Sequence, residues 1–371
     1  MNTTEPIRVL QVVASLNAGG MENYIMNLYR MADRTKVQFD FIVHHAAIGF
    51  YEDEIESLGG KVYHFTVLDD KNILKYVSAL HSFFDEHKEY RIIHGHLSSL
   101  AVFYLGVAKK LGVPWRIAHS HGAGFLHTVK GTAKYLMFRT TKWNANIRLA
   151  CSTEAGKYLY GKQLFEFVPN GIDIDRFAFD EKKRTEMRNR LGLDNDYVIG
   201  HVGRFNLQKN HEYLLQVFQG VARKTPNVKL LLLGDGELFP KIQKLVEELE
   251  IKDKVVFAGV HKDVEKYYQA MDVFVLPSLF EGLPVTGIEA QYSGLPCFFS
   301  DEITKEVKIC DDVNFLKIGE DNLNLWVDAL LRKPINNKRD SIEFITSRFD
   351  VKVAAKEMEE RYLDLWQKSN D

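Results

Sequence analysis

Short runs of consecutive apolar residues alternate along the chain with longer segments in which apolar residues recur every three or four positions. The short runs are typical of strands buried on both faces of a parallel sheet, and the longer segments of helices that cover such a sheet. In the first half the predicted strands are IRVLQVVAS, VQFDFIVHH, KVYHFTV, RIIHGHL, WRIAHSH and IRLACS. Helices are predicted between them, over residues 21–32, 72–88 and 99–111. The alternation predicts an α/β fold.

The same pattern starts again in the second half of the chain. It begins at YVIGHVGRF (197–205) and continues through VKLLLLGDG, KVVFAG, VFVLPS, LPCFFS and VNFLKIG. The chain has 371 residues, whereas single hydrophobic cores stop growing at roughly 250–300 residues. Two similar doubly wound domains are therefore predicted, each with a parallel sheet.

The join between the two halves is marked by turn residues. FVPNGIDIDRFAF (167–179) contains a Pro-Asn-Gly turn, and we interpret the polar segment 180–196 that follows as a linker. The predicted domains are 1–170 and 171–350. A last helix within 351–371 is expected to pack back on the first domain.

Composition excludes several classes of protein. Charged residues make up 26% of the chain and the formal net charge is −2, so no overall field favours nucleic acid. The three cysteines are far apart and form no CxxC pair, which predicts reduced thiols in a cytoplasmic protein. No apolar run approaches the roughly 18 residues of a membrane span. The N-terminal MNTTEPIRVLQVVAS is interpreted as a first strand rather than a signal peptide.

Basic residues are concentrated in one part of the sequence. Residues 90–153 contain no Asp or Glu, which predicts a positive face on one domain. Within this stretch, 125–148 interleaves aromatic and cationic residues, as segments at membrane interfaces do. The hypothesis is peripheral docking to anionic lipid or to a polyprenyl-diphosphate acceptor; the alternative is a buried helix with a solvated basic face. The residues proposed for acceptor or membrane contact are His119, Lys130, Lys134, Arg139 and Lys142.

Candidate ligand-binding loops follow several predicted strands, where open α/β sheets bind their ligands. In SLNAGGMEN the paired Gly19 and Gly20 precede a helix predicted from about Met21, which suits an anion or a plain tight turn. In GRFNLQKN, Arg204 and Lys209 flank a loop before a helix predicted near Asn210. Two cations at a helix N-terminus suit a diphosphate, although solvated surface cations are the alternative.

The Gly-Asp-Gly turn in LLLLGDGELF is a further candidate. Gly234 and its neighbours could shape a nucleotide pocket, with an ordinary strand-to-helix turn as the alternative. Phe239 stands where a dinucleotide fingerprint has its third small residue, which argues against NAD.

The segment FEGLPVTGIEA (280–290) places two acids around a turn. Its helix is predicted to begin near Pro284, so that the next three amides are unpaired and form an anion site. Glu281 precedes that site and Glu289 lies one turn inside the helix. Carboxylates are good acceptors for sugar hydroxyls and poor phosphate ligands. This spacing suits a nucleotide sugar, with phosphate in the middle and hydroxyl-bearing rings on both sides. The three unpaired amides that are predicted to form the anion site belong to Val285, Thr286 and Gly287.

Two other patterns resemble metal motifs and are interpreted differently. His94 and His96 in HGH are taken to face opposite sides of their strand, and so to be structural or acceptor-side residues. The DND sequence at 194–196 lies in the predicted linker and is discounted as a ligand set.

Together these motifs resemble those of retaining GT-B glycosyltransferases of family 4 (group 1), of the bacterial exopolysaccharide and capsule type. The resemblance rests on NAGGMEN, PNGID, GRFNLQKN, DVFVLPS and the E-x7-E pair Glu281 and Glu289, which occur in the family's order over nearly the whole chain. It implies two facing Rossmann-like domains with a cleft between them. It also implies metal-independent catalysis without a cofactor, because Arg204, Lys209 and a helix dipole can supply the charge that Mg²⁺ would otherwise provide.

The resemblance further implies roles for single residues. Arg204 and Lys209 match the cations that neutralise the departing diphosphate. Glu281 matches the acid on the 3- and 4-hydroxyls of the transferred sugar, and Glu289 the acid on the ribose hydroxyls. A histidine contact near the sugar's 6-hydroxyl is assigned to His121, at the end of its strand, in preference to the deeper His119.

Donor binding is implied for a further set of residues. Gly282-Leu283-Pro284 departs from the Gly-Phe-Gly that many members have, and Pro284 lacks an N–H, which shifts donor contacts onto Val285. The implied donor-binding residues besides Glu289 are Gly19, Gly20, Gly203, Gly234, Gly282, Leu283, Val285 and Thr286.

The function predicted from the sequence is transfer of a sugar, with retained configuration, from a nucleotide sugar to a glycan or lipid-linked acceptor. The donor is expected to be UDP-linked, and the pathway to be that of a cell-surface polysaccharide. The alternatives are a nucleotide-sugar epimerase or a phosphorylase on the same fold, and a non-catalytic partner subunit of a glycosyltransferase. Such a subunit is expected to lose Glu281, Glu289 or Lys209, and this chain keeps all three.

Overall fold

The structure is a computed structural model that describes residues 5–17, 19–65, 72–122, 140–332 and 348–369. It divides into two compact units, each built on its own parallel sheet. Unit 1 comprises Met1–Ile172 together with Arg348–Asp371, and unit 2 comprises Asp173–Ser347. The predicted boundary was at residue 170.

Unit 1 contains a seven-stranded sheet in which all paired strands are parallel, in the order β3-β2-β1-β4-β5-β6-β7. β1 lies at its centre, with Ile7 opposite Val37 of β2 and Val9 opposite Ile92 of β4. The six predicted strands are all present, and the short β7 was not predicted. Their bounds are Ile7–Val12 (β1), Val37–Val43 (β2), Val62–His64 (β3), Ile92–Gly95 (β4), Trp115–Ser120 (β5), Ile147–Ala150 (β6) and Glu166–Phe167 (β7).

Helices of unit 1 cover this sheet because each presents an apolar stripe to it. The last helix of the chain packs on α1 and on β1, β2 and β4, where Tyr362 and Met358 join the core formed by Val9, Tyr24 and Phe41. Within the described residues, the α-helices of unit 1 are Gly20–Met31 (α1), Glu52–Ser57 (α2), Ile73–Glu86 (α3), Ala101–Lys110 (α4), Thr141–Asn144 (α5), Thr153–Tyr160 (α6) and, after unit 2 in the sequence, Val351–Lys368 (α14).

Unit 2 contains a six-stranded sheet, also with parallel pairs, in the order β10-β9-β8-β11-β12-β13. All six strands were predicted. In both sheets the strand order reverses beside the first strand, between β1 and β4 and between β8 and β11, where ligands bind in doubly wound folds. The strands are Tyr197–Val202 (β8), Val228–Leu233 (β9), Val255–Gly259 (β10), Val273–Leu276 (β11), Cys297–Ser300 (β12) and Val313–Leu316 (β13).

The helices that cover the second sheet include one where the sequence predicted a linker. They are Ile174–Phe177 (α7), Glu181–Leu191 (α8), His211–Lys224 (α9), Phe239–Glu248 (α10), Val264–Ala270 (α11), Val285–Tyr292 (α12) and Leu323–Arg332 (α13).

The linker prediction for 180–196 was wrong because helix α8 buries two arginines and only one apolar residue, Met187. The Asp180 side chain caps the helix by accepting from the amides of Lys182 and Lys183. Arg184 and Arg188 are buried, and both pair with Asp272, at 2.6 and 3.2 Å. An arginine face leaves no apolar stripe for periodicity to detect.

Candidate active site

The loop that follows β8 in unit 2 is held by close backbone packing against the turn after β9. The amide of Phe205 donates to the carbonyl of Asp235 at 3.0 Å, and the amide of Gly203 to that of Leu233 at 3.0 Å. Gly234 has φ +131°, and a side chain there would meet the Gly203 carbonyl. A side chain at Gly203 would in turn lie about 3.1 Å from Cδ of Lys209. Gly203 therefore makes room for the lysine, and Gly234 makes room for the backbone of the loop that carries it.

Lys209 and Glu281 form a buried ion pair across the strand order reversal between β8 and β11. Nζ of Lys209 donates to Oε1 of Glu281 at 2.6 Å, and the two side chains are 14% and 8% exposed. Two further donors hold the carboxylate: Oγ of Ser278 at 2.8 Å and Nε2 of Gln208 at 2.9 Å. These three hydrogen bonds hold the Glu281 carboxylate in one position and stabilise its negative charge.

Arg204 lies in a different environment from Lys209. Its Nη2 is 3.3 Å from Oε2 of Glu237, and 70% of the arginine side chain is exposed. The two cations that the sequence grouped together thus pair with different carboxylates, one at the surface and one buried.

Helix α12 begins at Val285, with Pro284 as its N-cap residue rather than within its first turn. The amide of Gly287 donates to the Pro284 carbonyl at 2.9 Å, so the prediction that this amide is unpaired was wrong. The amides of Val285 and Thr286 occupy the first helical positions, where an α-helix supplies no acceptor. Among the described residues, Oγ1 of Thr286 is a buried oxygen without a hydrogen-bond partner.

Glu289 lies one turn further into α12 and is buried. The hydroxyl of Tyr268, on α11, donates to its Oε2 at 2.7 Å. Burial raises the pKa of Glu289 to about 7, and the Tyr268 hydrogen bond acts in the opposite direction. This carboxyl therefore titrates near neutral pH. Gly282 and Leu283, between the two glutamates, are buried as well.

In unit 1 the glycine loop lies at the end of β1. Gly19 is the N-cap residue of α1 and Gly20 its first residue, one position before the predicted start. The carboxylate of Glu22 folds back to where a side chain on Gly19 would lie. An acid in the first turn stabilises a helix N-terminus, so in this structure a carboxylate of the chain lies where an anion was predicted.

Four histidines of β4, β5 and the residues directly after them form one cluster in unit 1. The interpretation that His94 and His96 face opposite ways was wrong, because alternation places residues i and i+2 on the same face of a strand. Their ring centroids are 4.2 Å apart, as are those of His119 and His121. Strands β4 and β5 are neighbours, so the two pairs lie side by side.

Most of this cluster is buried. His94, His96 and His119 are buried, and His121 is partly exposed at the end of β5. Burial lowers the pKa of all four, that of His121 to about 4, so the rings are neutral at neutral pH. Ring nitrogens of His94, His96 and His119 lie within 4.8 Å of one another, a spacing that a metal ion could use. Nε2 of His94 lies 3.2 Å from Nδ1 of His119, and Nδ1 of His96 lies 2.8 Å from Nε2 of His121. Nε2 of His119 has no hydrogen-bond partner among the described residues.

The basic segment of the sequence is described only in part. Lys130, Lys134 and Arg139 lie outside the described residues. Lys142 lies within the described residues, with its Nζ 5.2 Å from the ring of the exposed Trp143. Within the described part of the chain, no helix is both long and apolar enough to cross a membrane.

A groove of about 550 Å³ lies beside these residues in unit 1. Apolar residues that line it include Val77 of α3 and Phe103 and Val107 of α4, and Lys109 and Lys110 line it as well. Sequence motifs do not reveal such a groove, because residues from separate helices line it.

Comparison with known proteins assigns the chain to a family. The family model of group 1 glycosyl transferases matches residues 183–341, and that of glycosyltransferase family 4 matches residues 18–176. The glycosyltransferase EpsF of Bacillus subtilis is 34% identical over 342 residues, which are 90% of this chain and 88% of that protein. The chain therefore belongs to the group 1 glycosyltransferases of family 4, and is a transferase of sugars.

A second relative has a more specific name. The UDP-Gal:α-D-GlcNAc-diphosphoundecaprenol α-1,3-galactosyltransferase of Escherichia coli is 27% identical over 295 residues, which are 75% of this chain and 76% of that enzyme.

Solved structures show the same fold. Anabaena Alr3699/HepE, in complex with UDP and glucose, superposes with a TM-score of 0.77 at 18% identity, over 96% of this chain and 99% of that one. Sucrose-phosphate synthase of Thermosynechococcus elongatus gives a TM-score of 0.70 at 16% identity, over 97% and 99%. Both units therefore have the Rossmann-like architecture of GT-B enzymes.

Several partners of the predicted site residues escaped the sequence analysis. Gln208 and Ser278 hold Glu281, and Tyr268 holds Glu289. Gln11 and Tyr362 contact the histidine cluster from β1 and α14. Gln208 within GRFNLQKN and Ser278 at the end of DVFVLPS lie in recognised motifs, whereas Tyr268, Gln11 and Tyr362 lie outside them.

Proposed function

We propose that this glycosyltransferase transfers a sugar from a UDP-sugar, with retention of configuration, to a lipid-linked or glycan acceptor in the synthesis of a cell-surface polysaccharide. The observation that carries the proposal is the buried pair Lys209–Glu281 beside the start of α12. It joins a cation, a fixed carboxylate and free helix amides at the strand order reversal of unit 2.

Each part of this arrangement suits one part of the donor. The amides of Val285 and Thr286 and the Nζ of Lys209 suit a diphosphate, which binds N–H donors and positive charge. The carboxylates of Glu281 and Glu289 suit the hydroxyls of the sugar and the ribose. The orphaned Oγ1 of Thr286 is a further hydrogen-bonding group that a ligand can satisfy.

The reaction needs stabilisation of a leaving group. The bond between the anomeric carbon and the phosphate oxygen breaks, and its electron pair remains on the diphosphate, close to Lys209 and Arg204. The acceptor hydroxyl forms the new bond on the face that the diphosphate leaves and gives its proton to a departing phosphate oxygen. Glu281 is already bound by three donors, so we assign it to holding sugar hydroxyls rather than to nucleophilic attack.

The names of similar proteins support a UDP-linked donor and a lipid-linked acceptor. The E. coli relative is named for a UDP-galactose donor and a diphosphoundecaprenol acceptor, and HepE was solved with UDP and with UDP-glucose. These names belong to those proteins and support the proposal for this chain by similarity.

The test is a thermal-unfolding screen against UDP-, GDP- and ADP-sugars, followed by product analysis with the best donor. A ligand at about 100 times its Kd adds about 2.7 kcal/mol of stability, so one nucleotide class should raise Tm clearly. The configuration of the new linkage is read by NMR. An inverted product contradicts retention. A free epimerised sugar made without acceptor, or phosphate-dependent turnover, supports the alternative enzymes.

We further propose that unit 1 docks on anionic lipid at the inner face of the membrane through the groove between α3 and α4. Lys109 and Lys110 line this groove, and the exposed Trp143 follows Lys142, so that this face combines cations with an aromatic ring, as interfacial surfaces do. Leu74, on α3, is also exposed.

Vesicle co-sedimentation tests this docking. Binding should rise with the fraction of phosphatidylglycerol and fall with salt, and the double variant Lys109→Glu, Lys110→Glu should bind less. The variant Lys241→Glu, Lys244→Glu on α10 of unit 2 is the matched control. Binding that does not depend on anionic lipid would disprove the docking proposal and leave the glycosyltransferase assignment unaffected.

A further inference from the structure

Two loops of unit 2, one after β8 and one after β11, are joined through Gln208. Its backbone carbonyl accepts from the amide of Leu279 at 2.8 Å. Its side-chain Nε2 donates to the Phe280 carbonyl at 3.0 Å and to Oε2 of Glu281 at 2.9 Å. Gln208 thus contacts three consecutive residues of the loop that carries Glu281, and Lys209 follows it directly in the chain.

The partners of the Gln208 side chain determine which way its amide group points. A backbone carbonyl only accepts hydrogen bonds, and so does a carboxylate that pairs with a lysine ammonium. The NH₂ group of Gln208 therefore faces both acceptors and uses both of its hydrogens. The reverse orientation would place the amide oxygen against two other oxygens, so these contacts allow one arrangement.

The two oxygens of the Glu281 carboxylate have different numbers of partners. Oε1 accepts from Nζ of Lys209 at 2.6 Å and from Oγ of Ser278 at 2.8 Å. In the ranges that the structure describes, Oε2 accepts from Gln208 alone. A carboxylate oxygen has about two acceptor sites. Oε1 is therefore filled, whereas Oε2 can accept a ligand hydroxyl without losing a partner from the chain.

Lys209 also keeps hydrogen-bonding capacity for a ligand. Its ammonium group has three N–H donors, and among the residues described here it donates to Oε1 of Glu281. Other donors of the same group thus remain for a diphosphate. A diphosphate and Glu281 compete for this cation because both are anions. Gln208 holds Oε2 independently of that competition, because its own contacts do not include Lys209.

We propose that Gln208 is a positioning residue for sugar transfer, which orients Oε2 of Glu281 toward a hydroxyl of the transferred sugar. The inference rests on the proposed function, in which Glu281 binds that sugar, and it adds the residue that orients the carboxylate. Gln208 acts through Glu281, because both of its amide hydrogens are used within the chain. Removing the amide should weaken recognition of the sugar and leave recognition of the diphosphate unchanged.

The experiment compares UDP with UDP-sugars, because UDP lacks the transferred sugar. Calorimetry gives the dissociation constants of UDP, UDP-glucose and UDP-galactose for the full-length wild type and for Gln208→Met, which has a similar volume and no hydrogen-bond donor. A hydrogen bond to a charged group changes an equilibrium constant by about 10–100-fold. The variant should therefore bind the better UDP-sugar about 10–100-fold more weakly, and should bind UDP as the wild type does.

The matched control is Gln219→Met on α9. Gln219 is also a half-buried glutamine of unit 2, and its Nε2 donates to the Leu249 carbonyl at 2.9 Å. This variant should bind UDP and both UDP-sugars with wild-type affinity. Thermal unfolding checks that each variant is folded. If Gln208→Met does not fold, Gln208→Ala removes the same donor without introducing a longer side chain and takes its place.

A double variant tests whether Gln208 acts through Glu281. Glu281→Gln alone should also weaken binding of the UDP-sugar. Adding Gln208→Met to it should weaken binding further by less than about twofold, because the carboxylate that Gln208 orients is already absent. If the two losses multiplied instead, the residues would act independently.

Three outcomes would overturn the proposal. The first is wild-type affinity of Gln208→Met for the UDP-sugar, and the second is an equal loss of affinity for UDP and the UDP-sugar, which a purely structural role would give. The third is independent effects of Gln208→Met and Glu281→Gln. Failure of the proposed function has a different result: the wild type itself would bind neither UDP nor a UDP-sugar, and this inference would fail with it.

Discussion

The candidate site of unit 2 and the histidine cluster of unit 1 lie at comparable places in two sheets with the same inner strand order, yet their electrostatics are opposite. At the ends of β8 and β11, a lysine and a glutamate are buried as an ion pair. On β4 and β5, four neutral imidazoles are joined through an amide and a phenol. The topology determines where chemistry can take place, and the side chains determine whether that place is charged.

The difference has an energetic reason. A buried ion pair needs further donors to offset the loss of hydration, and Gln208 and Ser278 supply them to Glu281. A neutral network needs no charge compensation, but each polar atom still needs a partner. In unit 1, Nε2 of His119 and the hydroxyl of Tyr24 have none among the described residues. Glu281 of the charged pair therefore has three donors, whereas the neutral cluster contains buried polar atoms without a partner.

The largest effect is expected from Lys209→Ala. Removing one preorganised charge at a leaving group should lower the transfer rate by about 10²–10³-fold. The measurement is kcat for the best UDP-sugar at a temperature where the variant is folded. Lys241→Ala, which removes an exposed lysine paired with Glu212 in the same unit, is the control and should keep the wild-type rate. A variant at Lys209 that retains more than a tenth of the rate would contradict a catalytic role.

A second, smaller effect is expected from Glu289, whose buried carboxyl should make the free energy of unfolding depend on pH. Its pKa is raised in the folded state from 4.5 to about 7, so the folded protein binds more protons and loses stability as pH rises through that window. At about 1.4 kcal/mol per pKa unit, the loss is about 3 kcal/mol at pH 8.

Glu289→Gln should remove this pH dependence. Relative to the wild type, the variant should gain stability between pH 5 and pH 8, as measured by urea unfolding at both values. Glu248→Gln, at an exposed glutamate of α10, is the control. If the free energies of unfolding of variant and wild type differed by the same amount at both pH values, Glu289 would have an ordinary pKa.

In the neutral cluster, Tyr362→Phe should cost about 1–3 kcal/mol of unfolding free energy, because it leaves Nδ1 of His94 and Nε2 of Gln11 without their partner. Tyr213→Phe, which removes one hydrogen bond of 3.3 Å to the Gly319 carbonyl in unit 2, is the comparison and should cost less. Equal costs for the two variants would mean that the chain through Tyr362 adds no stability of its own.

The smallest effect is expected from Arg204→Ala on stability. Its ion pair with Glu237 is largely exposed, and such pairs contribute about 0–1 kcal/mol. The variant should therefore unfold like the wild type while its transfer rate falls, if Arg204 acts on the diphosphate. A wild-type rate would restrict the catalytic cation in this loop to Lys209.

Much of the fold was predictable because apolar runs report burial directly. All twelve predicted strands are present, and the starts of α9 and α12 lie within a residue of their predicted positions. The errors arose where burial was polar. Helix α8 was missed because Arg184 and Arg188 form its buried face, and β7 because two residues carry no periodicity.

Parts of the candidate site were predictable as well. Motif order placed Lys209, Glu281 and Glu289 on loops and a helix that the structure brings to one unit. Sequence reasoning paired Lys209 with Arg204, however, because the two are close in the chain. In the structure the partner of Lys209 is Glu281, 72 positions away. The direction of a side chain depends on tertiary packing, which local spacing does not record.

The sequence alone determined the two parallel sheets, the family and the loops that carry the chemistry, because hydrophobic periodicity and motif spacing are local properties of a chain. Tertiary structure decided which polar groups meet. Gln11, Asn170 and Tyr362 reach the histidines from three distant parts of the sequence, and Tyr268 reaches Glu289 from another helix. Such contacts fix the protons and charges of the site, and they exist only once strands and helices have packed.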